Sequence, residues 1–80
     1  MGHQDSAERM NQMVSVWKEV LRLPEVGPDD DLFELGGHSM TAALLVRRIN
    51  KSFDASLPLV AIYENPTVRG VLGCLDGPGG

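Results

Sequence analysis

The apolar residues near the start of the chain recur at helical spacing and predict a first helix. From Ser6 onward they fall at positions i, i+3, i+4 and i+7, so they form one stripe with the charged residues away from it. The stripe consists of Met10, Met13, Val14, Trp17, Val20 and Leu21. We expect this helix to end near Leu23, because Pro24 disfavours helical geometry in the residue before it.

Three further helical segments are predicted after a long connection. One runs from about Ser39 to Phe53, a short one follows Pro58, and the last begins after Thr67, a residue suited to an N-cap. The connection is rich in turn-forming residues, and so long a loop suits a compact domain only if it packs down. We take its apolar residues as anchors: Val26, Leu32, Phe33 and Leu35. The predicted fold class is all-α, a small bundle of three main helices plus one short helix, with a long loop between helices one and two.

The second predicted helix has two apolar faces. At about 100° per residue, the larger arc contains Ala42, Leu45, Val46, Ile49 and Phe53, and we assign it to the core. Nearly opposite lie Met40, Ala43 and Leu44, flanked by Arg47, Arg48 and Lys51. A bundle this small cannot bury both faces, so the smaller one is expected to be an exposed surface for a partner. The alternative is that Met40 and Leu44 pack under the long loop.

Composition limits the class of protein. Eighty residues make one domain, which we assign to residues 6–75, with a disordered N-terminus at 1–5 and a flexible tail at 76–80. The single cysteine, Cys74, excludes an intrachain disulfide; we expect it to pack between helices and the chain to be cytoplasmic. With a net charge of -4 and acids concentrated between Glu25 and Glu34, nucleic acid is not an expected partner. No apolar run reaches the length of a membrane span, and we expect a monomer.

Ser39 is the residue with candidate chemistry. Two glycines and His38 precede it at a predicted helix start, which would expose its hydroxyl. Serine hydrolysis would require a base, but His38 is adjacent in sequence, His3 lies near the terminus, and Thr41 replaces the second glycine of a nucleophile elbow. A calcium loop through the nearby aspartates lacks the required glycine. A purely structural role, with Ser39 capping the helix, remains open at this point.

A longer set of motifs resembles a known family. The run Phe33-x-Leu35-Gly36-Gly37-His38-Ser39-Met40, with Leu57-Pro58-Leu59 and Asn65-Pro66-Thr67-Val68 further on, closely resembles the peptidyl carrier (thiolation) domains of nonribosomal peptide synthetases. The resemblance covers about residues 10–75. The departures are Met40, where the family usually has Leu or Ile, and Leu32, which is often aromatic. His38 favours this branch over acyl carriers, which typically have Asp-Ser-Leu at this point.

The resemblance implies that Ser39 receives 4′-phosphopantetheine from coenzyme A through a phosphopantetheinyl transferase. The chain would not be an enzyme and would hold no metal. An adenylation domain would load an aminoacyl or peptidyl group as a thioester, and condensation, thioesterase or tailoring enzymes would receive it. The implied docking residues are Met40, Ala43, Leu44 and Arg47. Loop residues Phe33, Leu35, Gly36, Gly37 and His38 would position the serine, with Phe33 expected to lie mostly in the core. The alternatives are an acyl carrier protein of polyketide or fatty acid synthesis, or a helical interaction module that carries nothing.

Overall fold

The structure, a computed structural model, describes residues 5–75 and contains four helices in that range. They are α1 (Asp5–Leu21), α2 (Ser39–Phe53), α3 (Leu59–Glu64) and α4 (Val68–Leu75). The all-α fold class and the long first connection are confirmed. The expected disordered terminus and flexible tail lie outside the described residues, except for Asp5, which begins α1. Within residues 5–75, no helix combines the length and apolar character needed to cross a membrane.

The helix α1 ends two residues before its expected boundary at Leu23. Arg22 has a left-handed backbone with φ of 57°. The N–H of Leu23 donates to the carbonyl oxygen of Lys18 at 3.1 Å, which is the closing bond of a Schellman motif. Asp54, with φ of 53°, follows α2 in the same conformation. Local capping, rather than the proline that comes later, therefore sets the end of α1.

The core is formed by one face of each helix. α2 contributes the arc assigned to it, with four buried residues and Phe53 packed at the edge of the cluster. The largest fully buried side chains are Trp17, Met13, Leu32, Leu45, Ile49, Ile62, Val68 and Val71. All are apolar except for the indole N–H of Trp17, and only Leu32 comes from a loop. The core therefore lies between the helices and extends into the connection that precedes Ser39.

The long loop between α1 and α2 is held against the α3–α4 connection and the start of α4. Leu32 is fully buried, and its N–H donates to the carbonyl oxygen of Pro66, between α3 and α4, at 2.7 Å. The N–H of Arg69 donates to the carbonyl oxygen of Pro28 at 2.9 Å. The Arg69 guanidinium also lies 2.8 Å from a carboxylate oxygen of Asp29. These contacts make the loop a packed part of the domain, as its apolar residues predict.

The loop carboxylates are engaged in local bonds. Asp31 Oδ1 accepts the backbone N–H of Phe33 at 2.8 Å and that of Glu34 at 3.3 Å. Asp30 Oδ2 accepts the N–H of Gly27 at 2.8 Å. Side chains used in this way stabilise turns, since each carboxylate satisfies N–H groups that would otherwise have no partner in the fold.

In α4 the predicted stripe of buried apolar residues is confirmed, but the expectation for Cys74 is wrong. Thr67 caps it, since its Oγ1 accepts the N–H of Gly70 at 2.9 Å, and Val68, Val71 and Leu72 are buried. Cys74, which was expected to pack between helices, is exposed. Its sulfur accepts a hydrogen bond from Asn65 Nδ2 at 3.2 Å. That expectation was wrong because the buried stripe of so short a helix is complete without position 74.

The two glycines before Ser39 meet different requirements. Gly36 has φ of 101°, a conformation that favours glycine. A Cβ on Gly37 would lie 2.8 Å from both Cγ and Cδ1 of Leu32 and 2.9 Å from its carbonyl oxygen. Gly36 therefore permits the turn, and Gly37 permits the close approach of the buried leucine.

Replacing Gly37 with alanine should destabilise the domain, because the carbonyl oxygen of Leu32 is backbone and cannot move aside without shifting the loop. We expect a loss of about 1–3 kcal/mol in the free energy of unfolding, measured by urea denaturation. Gly73→Ala is the control, since nothing lies within 4 Å of the position that a Cβ on Gly73 would take; there the better helix propensity should stabilise the chain by up to about 1 kcal/mol. Equal effects of the two substitutions would contradict the role given to Gly37.

Candidate functional site

Ser39 is the first residue of α2, and its side chain is exposed. The N-cap is His38, which has extended backbone angles (φ -145°, ψ -172°) and makes no side-chain capping bond. Across residues 5–75, no group forms a hydrogen bond with the Ser39 hydroxyl. The interpretation of Ser39 as a helix cap is therefore wrong. In this structure the Ser39 hydroxyl is exposed at the start of a helix and makes no hydrogen bond within residues 5–75.

A single turn of the loop supports the serine from the core side. The N–H of Leu35 donates to the carbonyl oxygen of Asp31 at 3.0 Å, and that of Gly37 donates to the carbonyl oxygen of Leu32 at 3.0 Å. Leu35 is partly buried against the core cluster. Nothing lies within 4 Å of the position that a Cβ on Gly36 would take, so the chain is open there. The loop thus packs against the core on its inner side. On its outer side it leaves open space at Gly36, two positions before His38.

Phe33 lies on the surface rather than in the core. Its side chain is 38% exposed, and its ring stacks on Tyr63 of α3 with centroids 5.7 Å apart and planes 10° from parallel. The expectation that Phe33 is mostly a core residue was wrong. The adjacent Leu32 takes the buried position, because consecutive residues of this turn point in different directions. Phe33 therefore links the loop to α3 at the surface.

The smaller apolar face of α2 faces solvent. Met40 is 72% exposed and Leu44 54% exposed, while Arg47 is exposed and Ala43 half-buried. The alternative in which Met40 and Leu44 pack under the loop is wrong. We call these four residues the α2 strip. It begins at the residue after Ser39 and continues along the helix away from the loop.

Exposed apolar residues on α3 were missed by the sequence reasoning. Leu59, Val60 and Tyr63 are all exposed, while Ala61 and Ile62 fill the core. Five consecutive apolar residues in a helix this short cannot all be buried on one face. The sequence therefore indicated that some apolar residues of α3 are exposed, although so short a segment does not show which ones.

The charged groups near the serine form no metal-binding cluster in the part of the chain that the structure describes. No group of three or more histidine, cysteine or acidic residues that could hold a metal occurs within residues 5–75.

The hydrogen bond from Arg69 lowers the pKa of the Asp29 carboxyl and keeps it charged. Since that pKa is lowered on folding, the pair stabilises the fold above the carboxyl's unfolded pKa and loses this effect as pH falls through the lowered value.

The geometry at Ser39 suits a covalently attached anionic group. The first turn of an α-helix has backbone N–H groups without helical partners, and these favour negative charge. The hydroxyl is exposed, and the outer side of Gly36 is open. A phosphate ester on Ser39 would therefore meet a favourable field and no steric barrier from Gly36.

Comparison with known proteins agrees with this geometry. The family described as "Phosphopantetheine attachment site" matches residues 11–75. Bacitracin synthase 1 of Bacillus licheniformis is 43% identical over 60 residues, which cover 75% of this chain and 1% of that protein. The structure of BlmI, a type-II acyl-carrier-protein from Streptomyces verticillus involved in bleomycin biosynthesis, superposes with a TM-score of 0.83 at 26% identity, covering 95% of each chain. McyG A-PCP, solved with phenylalanyl-adenylate, gives a TM-score of 0.80 at 40% identity over 85% of this chain and 11% of that one.

Fold and site together define a small helical carrier domain with a serine at the start of its second helix. The chain belongs to the phosphopantetheine attachment-site family, and 4′-phosphopantetheine is its cofactor. The match covers α2, α3, α4 and most of α1. The chain spans only a small fraction of the synthase that it resembles.

The exposure of Met40 predicts that a charge is tolerated there. Met40→Asp should change the free energy of unfolding by less than about 0.5 kcal/mol, as is usual for surface positions. Leu45→Ala, on the buried face of the same helix, should cost about 2–5 kcal/mol. Thermal and urea denaturation followed by circular dichroism measure both. A loss at Met40 comparable to that at Leu45 would show that the α2 strip is packed.

Proposed function

We propose that the chain is a peptidyl carrier (thiolation) domain of nonribosomal peptide synthesis and that the Ser39 hydroxyl bears the 4′-phosphopantetheine. The observation that carries this proposal is the Ser39 side chain: it is exposed, starts α2 and has no internal hydrogen-bond partner within residues 5–75. In a member of the phosphopantetheine attachment-site family, a serine so placed is the natural point of attachment.

The chain's own residues present and hold the attachment point. The α2 N-terminus favours the charge of the phosphodiester, and the open side of Gly36 gives a modifying enzyme access to the hydroxyl. Gly37, through its contact with Leu32, and Leu35, through the core, fix the loop just before the serine. We assign positioning roles to these residues together with Phe33 and His38.

When attached, the cofactor supplies a terminal thiol that carries aminoacyl or peptidyl groups as thioesters. The proposed partners are a phosphopantetheinyl transferase that uses coenzyme A, an adenylation domain, and condensation, thioesterase or tailoring enzymes. McyG A-PCP, at 40% identity, supports a partnership with an adenylation domain. The α2 strip is the proposed docking surface, and a strip this small suits partners that must each release the carrier.

We propose that the chain itself catalyses none of these steps. His38, the histidine nearest in sequence to Ser39, forms no capping bond at the helix start, and no base accepts a hydrogen bond from Ser39 among residues 5–75. The reactivity of the hydroxyl therefore has to come from the transferase. The exposed Cys74 suits a reducing compartment, and we place the carrier in the cytoplasm as a monomer.

Incubation with coenzyme A and a promiscuous phosphopantetheinyl transferase should add the mass of one phosphopantetheine group, measured on the intact protein. Ser39→Ala should gain nothing, because the only proposed attachment atom is removed. Thr41→Ala is the matched control, since it removes a nearby hydroxyl on the same helix and should still gain the full mass. No gain in the wild-type protein, or an equal gain in Ser39→Ala, would refute the proposed function.

An acyl carrier is the second candidate, and the likeness to BlmI over 95% of both chains favours it. The higher identities to bacitracin synthase 1 and McyG A-PCP support the peptide branch. The two candidates differ in what is loaded. The phosphopantetheine-bearing protein should accept an amino acid from an adenylation domain with ATP, seen as a mass increase that hydroxylamine removes. Loading by a malonyl or fatty acyl transferase, with no aminoacylation by any adenylation domain tested, would decide for the acyl carrier.

A further inference from the structure

The helix α2 is positively charged in a chain that is negative overall. Its sequence from Ser39 to Phe53 contains Arg47, Arg48 and Lys51 and no acidic residue, whereas the whole chain has a net charge of -4. Arg48 is ion-paired with Glu19 of α1. Arg47 and Lys51 are exposed and have no ion-pair partner among residues 5–75. Two uncompensated cations therefore project from the helix that begins at Ser39.

These two cations share a face with the exposed apolar residues. At about 100° per residue from Ser39, Met40 lies at about 100°, Leu44 at about 140°, Arg47 at about 80° and Lys51 at about 120°. With a rise of about 1.5 Å per residue, Arg47 lies about 12 Å and Lys51 about 18 Å along the helix from the serine. The exposed face is thus apolar in its first turns and cationic beyond them.

The loop that precedes Ser39 in the chain is rich in acidic residues. Asp30 and Glu34 are exposed in the loop that leads to α2, and Asp29, also exposed, is ion-paired with Arg69. Along the chain, the serine therefore lies between an acidic loop and a helix that carries cations. A partner with a charged surface would be attracted to one side and repelled from the other, which fixes the direction in which it docks.

Stabilisation of the helix does not by itself explain this pattern. A cation in the last turn favours the negative end of the helix dipole, and Lys51 is in that position. Arg47 is more than one turn from the end at Phe53, where that effect has largely decayed. A nucleic acid or an anionic membrane would need a broader basic surface than two cations, and the acidic loop would repel it.

We propose that the adenylation domain that loads this carrier has a cluster of carboxylates that contacts Arg47 and Lys51, about 12–18 Å from the point where the phosphopantetheine leaves Ser39. This inference rests on the proposed function and names the chemistry of its partner. The apolar residues of the α2 strip supply the contact nearest the serine, and the cations set the orientation.

The test measures aminoacylation by an adenylation domain that loads the wild-type, phosphopantetheine-bearing protein. The double variant Arg47→Glu, Lys51→Glu should lower kcat/KM by about tenfold or more at low ionic strength, because attraction becomes repulsion. For the wild-type protein, kcat/KM should fall as salt rises from about 0.02 M to about 0.5 M, since salt screens the attraction. In the double variant that dependence should vanish or reverse.

The matched control is the double variant Lys18→Glu, Arg22→Glu. Lys18 lies in the last turn of α1 and Arg22 directly follows that helix. The control makes the same change in net charge and likewise places an acid in the last turn of a helix. It should retain kcat/KM within about threefold and keep the salt dependence of the wild-type protein, since screening acts on the docking cations. Arg47→Lys, Lys51→Arg should also retain activity. Every variant is converted fully to the phosphopantetheine-bearing form before the assay, as checked by its intact mass, and should keep the wild-type circular dichroism spectrum.

Equal losses in the two double variants, or a wild-type rate that rises with salt, would overturn the inference while leaving the attachment at Ser39 intact. Failure of the wild-type protein to gain phosphopantetheine would instead refute the proposed function, and the inference with it. The two failures are therefore distinguishable by the intact mass alone.

Discussion

The burial of Leu32 is the constraint on which the arrangement around Ser39 depends. Its side chain is fully buried, its N–H bonds the carbonyl oxygen of Pro66 at 2.7 Å, and its own carbonyl oxygen accepts the N–H of Gly37 at 3.0 Å. One residue therefore joins the loop to the α3–α4 connection and fixes the turn that leads into α2. Burying a leucine stabilises a fold by about 1.5–3 kcal/mol, enough to make this loop part of the core. The absence of a side chain on Gly37 follows from that packing.

The helices were predictable because the spacing of apolar residues along the sequence indicates which face of each helix is buried. The bounds of α2 and the buried stripe of α4 follow from such spacing, and both agree with the structure. The end of α1 does not follow from spacing. It is set by Arg22, which adopts a left-handed conformation although it is not a glycine, so the sequence gives no signal for it. In the loop, spacing carries no information about which of two adjacent apolar residues turns inward. Leu32 rather than Phe33 is buried because of Pro66 and Gly37, and such contacts cannot be read from neighbouring residues.

The candidate site was predictable where the helix was long enough to separate two faces. Met40 and Leu44 could be placed on an exposed face because fifteen residues of α2 contain two distinct apolar stripes. The six residues of α3 are too few for a periodic pattern, and the exposure of Val60 and Tyr63 went unrecognised. The stacking of Phe33 on Tyr63 then joins the misassigned loop residue to the overlooked helix. Both errors thus arise where the chain is too short or too irregular for periodicity to act as a guide.

Charge in this domain is divided between groups that serve the fold and groups that do not. Asp30 and Asp31 accept backbone N–H groups of the loop, and Asp29 pairs with Arg69, so these carboxylates hold the turn before Ser39 in place. Arg47 and Lys51 make no such contacts within residues 5–75. Lys18 and Arg22 also have no ion-pair partner within residues 5–75, so the feature that distinguishes Arg47 and Lys51 is the helix face that they share with the exposed Met40 and Leu44. The three loop aspartates therefore have structural roles, and Arg47 and Lys51 are the cations that we propose for recognition by a partner.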